Sequence, residues 1–308
     1  MRSRGWGRAW FALQAVAGAA WWIAVATVPL VRDATLGSLD PVLVAVFDVP
    51  LFVGASALAA AGLRPAAVVA TVWTTLVAVA LAVFATVTGE AGWGVLLMAG
   101  AVVGSALALA QLLLGRVPTH WVIWGPLGFR PAEARRGPAR NLATTALEIV
   151  VFWGLFLAVV PLVVAVLERR WGLALPLSGP ADTATTVVGV VLLVVASAAG
   201  LWSGAVMTTL GDGTPLPSAM PNRLVVAGPY RVVRNPMAVA SIAQGVAVGL
   251  LLSSWLVVAY AIAGALFWNV AVRPHEERDL EARFGDDFRR YRDAVLCWWP
   301  RLPVPAQR

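Results

Sequence analysis

The sequence has no lysine, a single cysteine (Cys297) and two histidines (His120 and His275). One cysteine excludes an internal disulfide. Two distant histidines exclude a His-Glu-x-x-His zinc site, and no Ser-His-Asp arrangement stands out, so no metal site is expected. Charge is scarce as well, at 13% of residues, which excludes both an ordinary soluble domain and a disordered chain. Every basic residue is therefore an arginine, and the formal net charge is +7. The arginines are scattered over short loops instead of forming one basic patch. That distribution speaks against nucleic-acid binding and for a charge asymmetry across a membrane. A cleavable signal peptide is not expected either. The first apolar run, residues 10–30, is too long and lacks a small-residue cleavage site, so it reads as a retained span.

What fills the chain is apolar sequence, 60% of 308 residues, with a mean hydropathy of +0.80. The spacing predicts an all-α, polytopic membrane protein of about eight transmembrane helices. Six single spans are expected near 10–30, 42–62, 66–87, 94–114, 142–167 and 185–207. A hairpin over 237–272 follows, folded at Ser253-Ser254. Each of its arms has roughly 18 residues, about 27 Å of helix against a bilayer core of about 30 Å. Arg32, Asp33 and Asp40 are read as a polar loop and Arg64-Pro65 as a tight turn. Three regions are expected: a four-helix membrane scaffold over 1–114, a Gly/Pro-rich connector over 115–141 containing Trp121 and Trp124, and a second membrane region over 142–308. Eight spans put both termini on one side. That side holds every arginine except Arg32, Arg169 and Arg170, so it is expected to face the cytoplasm, as in a bacterial plasma membrane.

The antiparallel hairpin brings two polar clusters to one membrane edge. Gly228-Pro-Tyr-Arg-Val-Val-Arg-Asn-Pro-Met237 precedes it, and Arg273-Pro-His-Glu-Glu-Arg-Asp-Leu280 follows it. Charge at that depth is costly unless paired or functional. From spacing alone, Arg231 and Arg234 read equally well as headgroup anchors, and Glu276-Glu277 as the polar face of a solvated helix.

The joint pattern is more specific. Gly228 to Met237, followed by Glu276, Glu277, Leu280, Phe284, Gly285, Phe288 and Tyr291, resembles the isoprenylcysteine carboxyl methyltransferase and phospholipid methyltransferase superfamily. Gly211-Asp-Gly-Thr-Pro-Leu-Pro217 upstream and Pro300-Arg301 at the end are similar to the same family, and the resemblance covers about 185–301. It implies S-adenosylmethionine as cofactor, bound by Gly228, Pro229, Tyr230, Arg231, Arg234, Asn235, Pro236, Glu276 and Glu277. It also implies that the hairpin and tail form that site. Arg231 or Arg234 would take the cofactor carboxylate, and Glu276 or Glu277 its ammonium or ribose hydroxyls. Arg273 stands where related enzymes carry an arginine that positions the acceptor, so Arg273 and Glu276 are the catalytic candidates. The implied acceptor is lipophilic, an isoprenoid or prenyl-cysteine carboxylate or a lipid headgroup, with membrane lipids as surroundings. Three positions depart from the family pattern: Asn235 replaces His, Ala238 replaces Tyr and Ala240 replaces Gly. The alternatives left open are a non-catalytic scaffold with a decayed cofactor site and a transporter.

Other polar residues inside spans are Asp48 and Glu148, functional candidates by default, with Arg140 as a bland partner for Glu148. Gly100-x-x-x-Gly104, Gly245-x-x-x-Gly249 and Gln244 read as helix-packing contacts. Cys297, between an apolar stretch and Trp298-Trp299, is placed at the interface.

Overall fold

The computed structural model describes residues 2–123, 138–175, 178–213 and 220–300. Thr214 to Pro217, Arg301, the connector residues Trp124, Arg130, Arg135 and Arg136, and the side chain of Arg140 lie outside the described residues. The chain divides into two compact units, Met1–Pro118 with Val166–Ala174, and Thr119–Ala165 with Leu175–Arg308.

The first unit contains α1 (Arg2–Thr27), α2 (Pro29–Leu36), α3 (Pro41–Asp48), α4 (Ala55–Ala61), α5 (Arg64–Thr88) and α6 (Gly92–Leu114). A π-helical turn, Val49–Gly54, joins α3 to α4. Pro50 lacks the N–H that an α-helical ladder needs, so the ladder shifts there without ending. The result is one span, Pro41–Ala61. Proline also explains two differences from expectation. Arg32 and Asp33 are not in a loop, because Pro29 starts the separate helix α2 after the extended Val28. Arg64-Pro65 opens α5, and the turn is made instead at Gly62, whose φ of +114° suits glycine.

Small side chains set the packing. Phe11 is enclosed by Ala59, Ala67, Ala70, Ala108 and their neighbours. A Cβ on Gly104 would lie 1.9 Å from the Trp10 ring, whereas Gly100 faces open space and makes no such contact. Gln14, Ser56 and Ser105 form a buried network: Gln14 Nε2 donates to Ser56 Oγ at 3.1 Å, and Ser105 Oγ donates to Gln14 Oε1 at 2.7 Å. Asp48 is buried and accepts from the indoles of Trp22 and Trp73, each at 2.9 Å. These contacts satisfy polar groups that lipid could not.

The second unit contains α7 (Pro138–Trp153), most of α8 (Val160–Arg170), α9 (Pro180–Gly211), α10 (Pro236–Leu251), α11 (Trp255–Phe267) and α12 (Arg273–Ala294). A π-helical turn at Gly154–Val159 connects α7 to α8, and another at Trp268–Val272 connects α11 to α12. Across the described residues, seven helices are long and apolar enough to span a membrane, and the chain is an integral membrane protein. The seventh is the run Trp255–Ala294, whose apolar part ends at Val272; the charged α12 lies beyond the span. The first arm of the hairpin is shorter than expected, because α10 has 16 residues, about 24 Å.

The hairpin turns where the sequence indicates. Ser253 has φ +50°, and the Ser254 side chain caps α11 by accepting from Val257 N. Gly245 and Gly249 hold the arms together. A Cβ on Gly249 would lie 2.6 Å from Val258 Cγ2 and 2.9 Å from the Val258 backbone nitrogen. Gln244 donates to Ser197 Oγ at 2.9 Å, tying α10 to α9. Gly249→Ala should therefore lower the thermal unfolding temperature in detergent by several degrees. Gly264→Ala, which meets nothing within 4 Å, should leave it unchanged or raise it.

Candidate functional site

The site begins with a turn. Gly228, at φ +54°, starts the short 3₁₀ helix Gly228–Arg231 against Trp202 and Val206 of α9. The turn buries Tyr230 and leaves Arg231 exposed. Asn235 ends the segment as a helix cap, with Oδ1 accepting from Ala238 N at 3.0 Å, and the buried Pro236 is the first residue of α10. Asparagine is among the best residues for that cap, which gives its presence in place of histidine a structural reason. Ala240 is buried against α9, where a Cβ on Gly200 would lie 3.4 Å from the Ala240 Cβ, an ordinary contact. Ala240 is therefore a helix contact.

On the other strand of the hairpin, α12 is broken at Gly285 (φ +54°, ψ −125°). The break lets its second limb fold back, with Glu281 bridging the two limbs through Arg289 (3.2 Å) and Arg292 (2.8 Å). Phe288, Tyr291 and Val295 then bury themselves against Leu224, Leu280 and Phe284. Two hydrogen bonds fix this limb to the turn: Tyr291 Oη donates to the Tyr230 carbonyl at 2.6 Å, and Arg234 N donates to the Leu296 carbonyl at 3.0 Å.

Between these pieces lies a charged cluster. Glu277 Oε1 is 3.2 Å from Arg234 Nη2 and 3.2 Å from Arg273 Nε. Arg273 Nη1 also donates to Asn269 Oδ1 at 2.7 Å, and Trp298 Nε1 donates to the same oxygen at 2.8 Å. Arg234 is the most enclosed member, with its side chain 11% exposed. Its Nε and Nη1 are buried and have no hydrogen-bond partner. Buried donors are nearly always satisfied in folded proteins, so two unpartnered nitrogens on one guanidinium make Arg234 a candidate for binding a ligand.

The twin glutamates differ. Adjacent helical residues project about 100° apart, so only Glu277 meets the arginines. Glu276 has no ion-pair or hydrogen-bond partner among the described residues. Burial, together with the nearby carboxylates of Glu277 and Asp279, pushes its pKa up to about 7. Tyr230 lies near enough for Glu276 to add to the effect of burial in raising its phenol. Cys297 is buried, and burial pushes its thiol up, which argues against a thiolate nucleophile. Among the described residues no group of His, Cys, Asp and Glu could hold a metal ion.

Of the sequence-predicted residues, the structure brings together Tyr230, Arg234, Arg273, Glu276 and Glu277. Gly228, Pro229, Asn235 and Pro236 shape the backbone beside them, and Arg231 points away. Sequence reading missed Asn269, Trp298 and the Tyr291 clamp. Asn269 carried a signal, as the one amide inside the second arm of the hairpin. An open, groove-like cavity of about 310 Å³ lies beside this cluster, lined by Val239, Ile242, Ala265, Leu266, Asn269 and two tryptophans.

No curated protein and no solved structure matches the chain significantly. Residues 184–287, which run from α9 through the hairpin into α12, match the phospholipid methyltransferase family model, consistent with the isoprenylcysteine and phospholipid methyltransferase superfamily.

Proposed function

We propose that this protein transfers a methyl group from S-adenosylmethionine to a lipophilic acceptor at the cytoplasmic edge of a bacterial plasma membrane. The family match over residues 184–287 supports methyltransferase activity on lipid-like substrates. The observation that carries the cofactor assignment is Arg234, with two buried, unpartnered donor nitrogens beside Glu277 and Arg273. A decayed site would have no use for that arrangement, which costs desolvation without return.

The residues present fit an amino-acid cofactor. Arg234 suits its carboxylate, since the free Nε and Nη1 are charged donors from which carboxylate oxygens accept. Glu276 suits its ammonium or ribose hydroxyls. Glu277 holds Arg234 and Arg273 apart and oriented, so it positions instead of binding directly. Arg273, held by Asn269 and Glu277, would orient the acceptor. When bound, S-adenosylmethionine supplies an electrophilic methyl on a sulfonium that leaves as a neutral thioether. Such a displacement asks the protein for alignment and water exclusion, with little proton transfer. The packed limb of Phe288, Tyr291 and Val295 would exclude water on one side. The first unit would serve as a membrane scaffold.

Calorimetric titration of S-adenosylhomocysteine into detergent-purified protein tests the reading. Micromolar binding is expected. No binding by folded protein would reject it and favour a non-catalytic scaffold.

A further inference from the structure

The cavity beside the cluster has a polar end with an unusual constraint. Asn269 Oδ1 accepts from both Arg273 Nη1 (2.7 Å) and Trp298 Nε1 (2.8 Å). Both partners can only donate, so the identity of the amide oxygen is fixed by chemistry. The oxygen is thus fully used, and the NH₂ group of Asn269 makes no hydrogen bond to any described residue. Asn269 also lines the cavity, whose other lining residues are apolar apart from the indole nitrogens. Trp298 is held on its other side by the Trp268 ring, edge to face with centroids 5.2 Å apart.

The cavity lies between α10 and α11, and its rim includes Leu266, which is 62% exposed on a membrane-spanning helix. It is therefore reached from the hydrocarbon side, and its volume of about 310 Å³ sits at the low end for ligand sites, about 300–1,000 Å³. An apolar chain can fill it, and the group at the head of that chain then meets the Asn269 NH₂ with Arg273 next to it. A donor there selects an oxygen acceptor. Arg273 uses Nε for Glu277 and Nη1 for Asn269, and no described residue takes its Nη2, which favours a negatively charged head.

We propose that Asn269 is a recognition residue. Its amide donates to an oxygen of an anionic amphiphile, a carboxylate or a phosphoryl group, whose single apolar chain lies along Val239, Ile242, Ala265 and Leu266. As the site of the methyl acceptor it rests on the methyltransferase reading above. It narrows that reading, because an amphiphile with only an ammonium head offers Asn269 nothing to accept its hydrogen.

The test is photolabelling of the full-length protein in nanodiscs, with peptides mapped by mass spectrometry. Three probes carry the same diazirine in one long chain and differ in head: a carboxylic acid, a phosphate monoester and a primary amine. The acid, the phosphate or both should label the cavity segments about tenfold more than the amine, and whichever dominates identifies the head. Asn269→Asp keeps the size and the acceptor for Arg273 and Trp298 but removes the NH₂ donor. It should reverse the preference, reducing labelling by the anionic probes and raising that by the amine. Leu266→Trp, at an exposed position that tolerates bulk, should abolish cavity labelling by all three. Equal labelling by the three heads, or a preference that survives Asn269→Asp in folded protein, overturns the proposal. The same wild-type preparation is titrated with S-adenosylhomocysteine. Head selection without cofactor binding would remove the methyltransferase reading and leave Asn269 as an amphiphile site. Cofactor binding without head selection would remove only the assignment to Asn269.

Discussion

Arg234→Ala should weaken S-adenosylhomocysteine binding by about thirtyfold or more, the largest single effect expected in this protein. Truncating one partner of a buried, hydrogen-bonded charge pair costs about 2–5 kcal/mol, and Arg234 is the most enclosed cation of the cluster, with its side chain 11% exposed. Arg234→Lys keeps the charge but not the separate Nε and Nη1 donors, so it should recover only part of the loss. Arg231→Ala should change affinity less than about threefold, because Arg231 is exposed. Stability gives the complementary readout. If Arg234 served the fold, its removal would lower the unfolding temperature of the ligand-free protein. Here Nε and Nη1 have no partner, and Glu277 keeps Arg273 at 3.2 Å when Arg234 is gone. Loss of a buried, under-satisfied guanidinium should therefore leave that temperature unchanged or raise it. Calorimetry and thermal unfolding on the same three variants check both halves. A destabilised Arg234→Ala that still binds the cofactor would reverse the assignment.

The architecture was largely legible because membrane spans are written in length and apolarity, which lipid enforces residue by residue. The hairpin turn at Ser253-Ser254 was legible for a local reason, as the two hydroxyl residues interrupt an apolar run, and one of them caps the next helix. What the sequence hid was mostly backbone geometry. The helix starts made by Pro29 and Pro65 and the π-helical turns at Val49–Gly54, Gly154–Val159 and Trp268–Val272 leave apolar periodicity almost untouched. In the site, the motif placed Arg231 and Arg234 on equal terms, and likewise Glu276 and Glu277. Only the 3₁₀ turn and the helical phase of α12 decide which of each pair faces inward. The Asn269 contacts depend on Trp298, 29 residues away along the chain, and no local pattern encodes that meeting. Ala240 reads in the sequence only as a departure from the family pattern, whereas in the structure it is buried on α10 against Gly200 of α9.

Cofactor binding should also depend on pH through Glu276. Its pKa is pushed up to about 7 in the ligand-free protein by burial and by the carboxylates of Glu277 and Asp279. A ligand ammonium placed beside it would favour the charged form and lower that value. Binding would then release a proton wherever Glu276 starts protonated. Affinity for S-adenosylhomocysteine should accordingly rise roughly eightfold between pH 6 and pH 7.5, as the ionised fraction grows from about 9% to about 76%. Calorimetry at pH 6.5 in two buffers of different ionisation enthalpy should register the released proton directly. Glu276→Gln should bind more weakly at pH 7.5, with a flat pH profile and no proton release. The same group acts on stability with a definite sign. The folded pKa lies above the ordinary value of 4.5, so the native state holds its proton over a range where the unfolded chain does not. The contribution is present below about pH 4.5 and is lost as pH rises towards 7, on the order of 3 kcal/mol at 1.36 kcal/mol per unit. Relative to Glu276→Gln, the ligand-free wild type should lose unfolding temperature across that window, and saturating S-adenosylhomocysteine should restore it above pH 7. A wild-type profile parallel to that of Glu276→Gln, with or without ligand, would mean that Glu276 is ionised and solvated, and would take it out of the site.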